Sequence, residues 1–209
     1  MFARSRVGVT LAAVATQDIP LFPLTSVLFP GGTLDLRIFE RRYLDLISGC
    51  ARSGNAFGVC LILEGSEVGE PALPAAVGTL ARICDFYNLP DGLLGISVEG
   101  SDRFHVATTR VRDNGLVHGE VRVWPPEPAI AVPVEYALLA EILERLLDRS
   151  GGRYATVERA RYDDAAWVGF RLAEALPLAK HERQDLLEMT DPLQRLDQLM
   201  HYLPRFQRD

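Results

Sequence analysis

Two hydrophobic periods divide the chain. Up to about residue 124, apolar and polar residues alternate in short runs, as on strands with one buried face; beyond residue 134 apolar residues return every three to four positions, as on helices with one buried stripe. The alternation is sharpest at 33–38, where Leu34, Leu36 and Ile38 interleave with Thr33, Asp35 and Arg37. The period then changes at once: Phe39, Tyr43, Leu46, Ile47 and Cys50 fall on one helical stripe that ends near Gly54. This predicts strand, turn, strand and helix over 19–51. Further strands are expected at 57–63, 77–87, 93–99, 103–111 and 116–124. Pro90-Asp91-Gly92, Gly100-Ser101-Asp102 and Asn114-Gly115 separate them, residues that take tight or left-handed turns at low cost. Short strands at this spacing predict an antiparallel barrel or sandwich.

The segment WPPEPAIAVP, 124–133, carries four prolines and excludes both a helix interior and a central strand, so it marks a boundary. A helix over 134–148 follows, with Tyr136, Leu139, Leu143, Leu146 and Leu147 on one stripe, Glu141 and Arg145 one turn apart, and Gly151-Gly152 to end it. Asp163 or Asp164 can cap a second helix that reaches Leu176 before Pro177. In the last helix Asp191 is the cap, Pro192 opens the first turn and Gln194 holds the capping-box position.

Charge narrows the partners. The net charge of −6 divides into +2 over residues 1–17, −5 over 18–130 and −3 over 131–209. Phosphate binding wants a basic face, so nucleic acid is not an expected partner. No apolar run reaches the roughly 20 residues of a membrane span, and no membrane partner is expected. Cys50, Cys60 and Cys84 are odd in number and form no C-x-x-C pair, which speaks against a disulfide framework or a zinc site and for a reducing cytoplasm. Residues 1–17 contain Arg4, Arg6, a mildly apolar centre and an Ala13-x-Ala15 step, the parts of a short secretory signal; Gly8 and Thr10 break the centre, and the alternative is a flexible extension.

Catalytic chemistry finds little foothold. Lys180 is the single lysine beside 21 arginines, and no glycine-rich loop precedes it, so a phosphate-binding loop is not expected. His181-Glu182-Arg183-Gln184-Asp185 approaches H-E-x-x-H but ends in Asp185, while His105, His118 and His201 are isolated; an exposed helix face accounts for it better than a metal site. No serine stands in a G-x-S-x-G elbow. No cofactor, metal or catalytic residue is therefore expected.

What the first part does have is aromatic surface: Phe22, Phe29, Phe39, Tyr43, Phe57, Phe86, Tyr87 and Phe104. Most belong to a core, since aromatics bury the most area per residue. Some can line a groove in which an extended peptide adds to a sheet edge. Pro23 and Pro30 remove backbone donors around the first strand and its turn. Phe29 and Leu36 are the candidate groove-lining residues, and Phe39 and Tyr43 the candidate core residues of the helix stripe.

The stretch IPLFPLTSVLFPGGTLDLRIFERRY (19–43), followed by AFGVCLI, VGTLARI, LPDGLLGISVEGSDRFHV, FRLAEALPL and RQDLLEMTDPLQRL, resembles the N-terminal substrate-binding domain of Lon proteases in its free-standing bacterial form, over residues 19–203. Two departures are small: Leu34-Asp35-Leu36 replaces a proline-containing L-P-L, and Arg183 stands where lysine is common before Gln184. The resemblance implies an α+β fold, an N-terminal PUA-like antiparallel pseudo-barrel with an inserted helix (18–130) followed by a helical bundle packed on it (131–209). It implies a non-enzymatic binder of unfolded or partly folded proteins and peptides, or of a folded protein partner, without ATPase or peptidase modules. A PUA-like RNA binder is the alternative on fold analogy, and a hydrolase-related protein a further one.

Overall fold

A computed structural model describes residues 16–150 and 157–206. Of the expected extension at 1–17 only Thr16 and Gln17 are described, and they open the first strand; Gly151-Gly152 also lies outside the described residues. The strands are β1 (Thr16–Leu24), β2 (Thr33–Ile38), β3 (Phe57–Glu64), β4 (Leu73–Asn88), β5 (Leu94–Val111) and β6 (Val117–Val123), with α1 (Arg41–Ser53) between β2 and β3. They pair in the order β2-β5-β4-β3-β1-β6, and a further β5–β6 pairing closes the barrel. Every pair is antiparallel except β1–β3, whose parallel crossover runs through β2 and α1.

The strand-to-helix switch lies where the alternation breaks. Tyr43, Leu46, Ile47 and Cys50 form the buried stripe of α1, and Gly54 ends it at φ 70, donating its N–H to the Cys50 carbonyl at 2.8 Å. Tyr43 stacks on Phe22 with ring centroids 4.0 Å apart. The helix begins later than its pattern predicts: Glu40 is the extended N-cap, so Phe39 is outside the helix and 49% exposed rather than part of the core. Arg42, a charged residue in the first turn of α1, is buried, where it pairs with Glu40 at 3.0 Å and covers the Tyr43 ring.

The predicted strands at 93–99 and 103–111 are one strand, β5, running through Gly100 without a turn. Gly100 is there because a side chain would not fit: a Cβ would stand 2.4 Å from the Phe29 carbonyl oxygen. β5 shifts register against β4 between Thr79 and Ala81, and this bend lets its halves serve two neighbours, β2 with the first and β6 with the second.

Beyond the prolines come α2 (Ala137–Ser150), α3 (Ala165–Ala175), α4 (Lys180–Glu188) and α5 (Pro192–Tyr202). Asp164 caps α3, accepting from the Ala166 and Trp167 N–H groups, and Asp191 caps α5, accepting from Leu193. Leu139, Leu143 and Leu147 of α2, with Val168, Leu172, Leu186, Leu196 and Leu199, pack in one cluster with Val27, Phe29, Leu61, Ala75 and Val77 of the barrel. Barrel and helices thus share a core. Gln184 joins them directly, donating from Nε2 to the Val77 carbonyl at 3.0 Å.

Candidate functional site: a cleft between barrel and helices

The turn after β1 is held on several sides. Gly31 adopts φ 68, which a side chain resists, and donates to the Gly100 carbonyl at 2.8 Å, while Gly100 donates to the Gly32 carbonyl at 2.9 Å. Thr79 Oγ1 donates to the Leu28 carbonyl at 2.6 Å, and Arg171 Nη2 to the Pro30 carbonyl at 2.7 Å. The result turns Phe29 inward and leaves Pro30 and Gly31 on the rim of a cleft of about 330 Å³.

Three parts of the chain build the other walls. β5 contributes Ser101, Asp102 and Arg103, the proline segment Pro125, Pro126 and Glu127, and the start of α3 Asp164, Trp167 and Phe170. Trp167 is half-buried and stands edge-on to Tyr162, with centroids 5.2 Å apart at 79°.

Beneath the aromatic wall lies a buried ion cluster. Glu127, its side chain 6% exposed, accepts from Arg103 and from both terminal nitrogens of Arg195, at 2.9 and 2.5 Å. Arg103 also donates to the Leu187 and Met189 carbonyls at 2.6 and 2.5 Å, and Arg195 Nε to the Leu186 carbonyl at 2.9 Å. Two guanidiniums on one carboxylate leave a surplus positive charge, which these carbonyls and the Phe170 face solvate; Arg195 lies 3.8 Å from that ring centroid. Burial pushes Arg103 down to about 10 against the pull of Glu127, with Arg195 adding to the fall.

Two polar side chains of the cleft walls are engaged within the chain. Ser101 Oγ donates to the Leu80 carbonyl at 3.3 Å, and Asp164 is committed to its cap. The cysteine and histidine that share a cavity do so elsewhere, at about 370 Å³ between α1 and β6, lined by Cys50 and His118 among others. Burial raises the Cys50 thiol above its ordinary range, which disfavours the reactive thiolate, and burial lowers His118 although Asp18 lies 3.4 Å from its Nδ1. Among the described residues no group of three or more potential ligands can hold a metal ion, and Glu182 of the H-E-x-x-D stretch is bound by Arg205 and the Ala179 N–H.

The two residues proposed from sequence as groove lining are not at the cleft. Phe29 is 1% exposed and its ring lies 5.9 Å from Phe170 in the shared core; Leu36 is 8% exposed on the inner face of β2, beside Ile38, Ile96 and Val98 in the barrel cluster. Neither offers a surface to a ligand. At that turn it is Pro30 and Gly31 that line the cleft. Trp167 and the ion cluster were not foreseen; the signals available were a tryptophan three residues after a capping aspartate and a lone carboxylate among prolines.

Comparison with known proteins agrees with this architecture. The family model of the ATP-dependent protease La (LON) substrate-binding domain matches residues 18–205. The crystal structure of a Lon N-terminal domain protein from Xanthomonas campestris is 48% identical, with a TM-score of 0.75, covering 89% of this chain and 98% of that one. The N-terminal domain of Mycobacterium avium complex Lon protease, at 18% identity and TM-score 0.63 over 89% of this chain and 97% of that one, shares the fold. Lon protease 2 of Herpetosiphon aurantiacus is 27% identical over 198 residues, 90% of this chain but 24% of that protein, so the chain spans about a quarter of such relatives. A barrel closed by β5 and β6, one inserted helix and a bundle sharing its core are thus found together with a family match over nearly the whole chain, and the chain belongs to the Lon substrate-binding domain family.

Proposed function

We propose that this chain binds segments of other proteins non-covalently in the cleft between barrel and helices and performs no bond-making chemistry itself. The carrying observation is that the buried polar groups of the cleft, Arg103, Glu127 and Asp164, are already engaged with one another or with backbone. What the walls leave to offer is the apolar surface of Pro30, Pro125, Pro126 and Trp167 with a polar rim. Such a surface selects by shape and hydrophobicity and tolerates many sequences, as holding unfolded segments requires. Clients are unfolded or partly folded proteins, in keeping with the substrate-binding family.

Overlapping peptides from denatured casein, titrated by fluorescence anisotropy, test this. Trp167→Ala should weaken the best peptide about 30-fold, a hot-spot loss of about 2 kcal/mol. Phe86→Ala, an exposed aromatic of β4 outside the cleft, should leave binding unchanged. Equal effects of the two variants, or no binding up to about 1 mM, would remove the cleft from the function. The same protein should neither hydrolyse ATP nor cleave casein; turnover that survives repurification and vanishes in Lys180→Ala would overturn the non-enzymatic part.

A further inference from the structure

Among the described residues several strand segments pair on one side only, Val106–Val111 of β5 for example, and two of them flank the first half of β5. β4 continues past its last pairing with β3, at Ala81, and along 82–88 bonds only β5; β2 stands at the end of the strand order and bonds only β5 along its whole length. The edges differ. On β4 the register shifts between Ile83 and Asp85, and Asp85 Oδ1 accepts the Phe86 N–H at 2.8 Å, so this edge is bent and partly satisfied by its own side chain. β2 has six consecutive residues in unbroken register with β5, and among the described residues no backbone group of 33–38 bonds outside that ladder.

The geometry points to β2 as a self-pairing edge, joining two copies of this chain antiparallel about a two-fold axis at Leu36. In that register Asp35 of each copy faces Arg37 of the other, and Leu34 faces Ile38. A parallel pairing in register would set Asp35 against Asp35 and Arg37 against Arg37, so the charge order favours the antiparallel dimer. Asp35 and Arg37 share the outer face of the sheet, where both are exposed although each has a partner in its own chain, Asp35 accepting from Ser97 Oγ at 2.6 Å and Arg37 pairing with Asp91, while Leu34, Leu36 and Ile38 lie on the inner face with the barrel core. The pairing would extend the apolar row of each barrel into the next. One residue further along, Phe39, 49% exposed and without a place in its own core, comes opposite Thr33 of the second copy. This inference does not rest on the cleft or on what the cleft binds.

Sedimentation equilibrium of the full chain from about 1 μM to about 1 mM, the range in which a six-residue edge contact is expected to associate, tests it. The expected result is a reversible monomer–dimer equilibrium. Asp35→Arg alone and Arg37→Asp alone should each raise the dimer dissociation constant at least about tenfold, because each sets like charges opposite one another. The double variant restores opposite charges and should return to within about threefold of the original. Thermal melts of all three variants in dilute solution establish that each is folded, and only folded variants are compared. A chain that stays monomeric throughout overturns the inference. So does a dimer that single swaps leave unchanged, or one that the double swap does not restore.

Discussion

The same aromatic side chain is set two different tasks at positions 29 and 39. At 29 the ring is enclosed by barrel and helices and lies 5.9 Å from Phe170; at 39 it stands on the outside, just before the Glu40 cap. Phe29→Ala should therefore cost about 3–5 kcal/mol as a large core truncation, and Phe39→Ala within about 0.5 kcal/mol as a surface change, both read from urea unfolding in dilute solution. This reverses what periodicity alone suggests. Residue 39 fits the helical stripe by spacing, but the helix starts at Arg41, and only the Glu40 backbone decides that. The ion cluster was illegible for a different reason. Glu127 sits among prolines like any solvated linker carboxylate, and nothing local says that Arg103 and Arg195 will converge on it.

Elements whose ends carry their own chemistry were readable in advance. Asp164 and Asp191 cap helices and Gly54 closes one, because each acts on neighbours a few residues away. β5 was not, since Gly100-Ser101-Asp102 has the composition of a turn while its glycine answers to the distant Phe29 carbonyl. The start of α4 yields a prediction at this scale. Arg205 donates to both oxygens of Glu182, at 2.6 and 3.1 Å, and the Ala179 N–H donates at 2.9 Å; these bonds, the arginine first, bring the Glu182 carboxyl down to about 2. A depressed carboxyl contributes stability that is present above its unfolded value, about 4.5, and is lost as pH falls toward 2. Arg205→Met should melt below the wild type at pH 7, and the gap should narrow as pH falls through that window. A gap that stays constant down to pH 2.5 would show that the pair contributes nothing through ionisation.

For the molecule as a whole, the change from alternating to helical period announced a barrel or sandwich followed by helices, the resemblance implied the barrel, and the prolines of 124–133 mark where the change occurs. Composition could not show that Val27, Phe29, Leu61, Ala75 and Val77 of the barrel belong to the same cluster as the leucines of α2 to α5. Because that core is shared, a chain cut after residue 130 should melt lower than the full chain and expose apolar surface to a dye such as ANS. Equal melting temperatures would mean that the two parts are thermodynamically independent.

The placement of β1 between β3 and β6 also sets the order in which the molecule can be completed during synthesis. β1, made before the strands it pairs with, meets one neighbour early, pairing Leu21 to Leu24 with Gly58 to Leu61, but its earlier half waits for His118 to Arg122. Until β6 leaves the ribosome, Thr16 to Pro20 are without the partners they have in the finished barrel, and the closing contacts are among the longest in sequence that the fold makes. The nascent protein therefore passes through an interval in which it is itself an incompletely folded chain with an open strand edge, the kind of chain that chaperones attend.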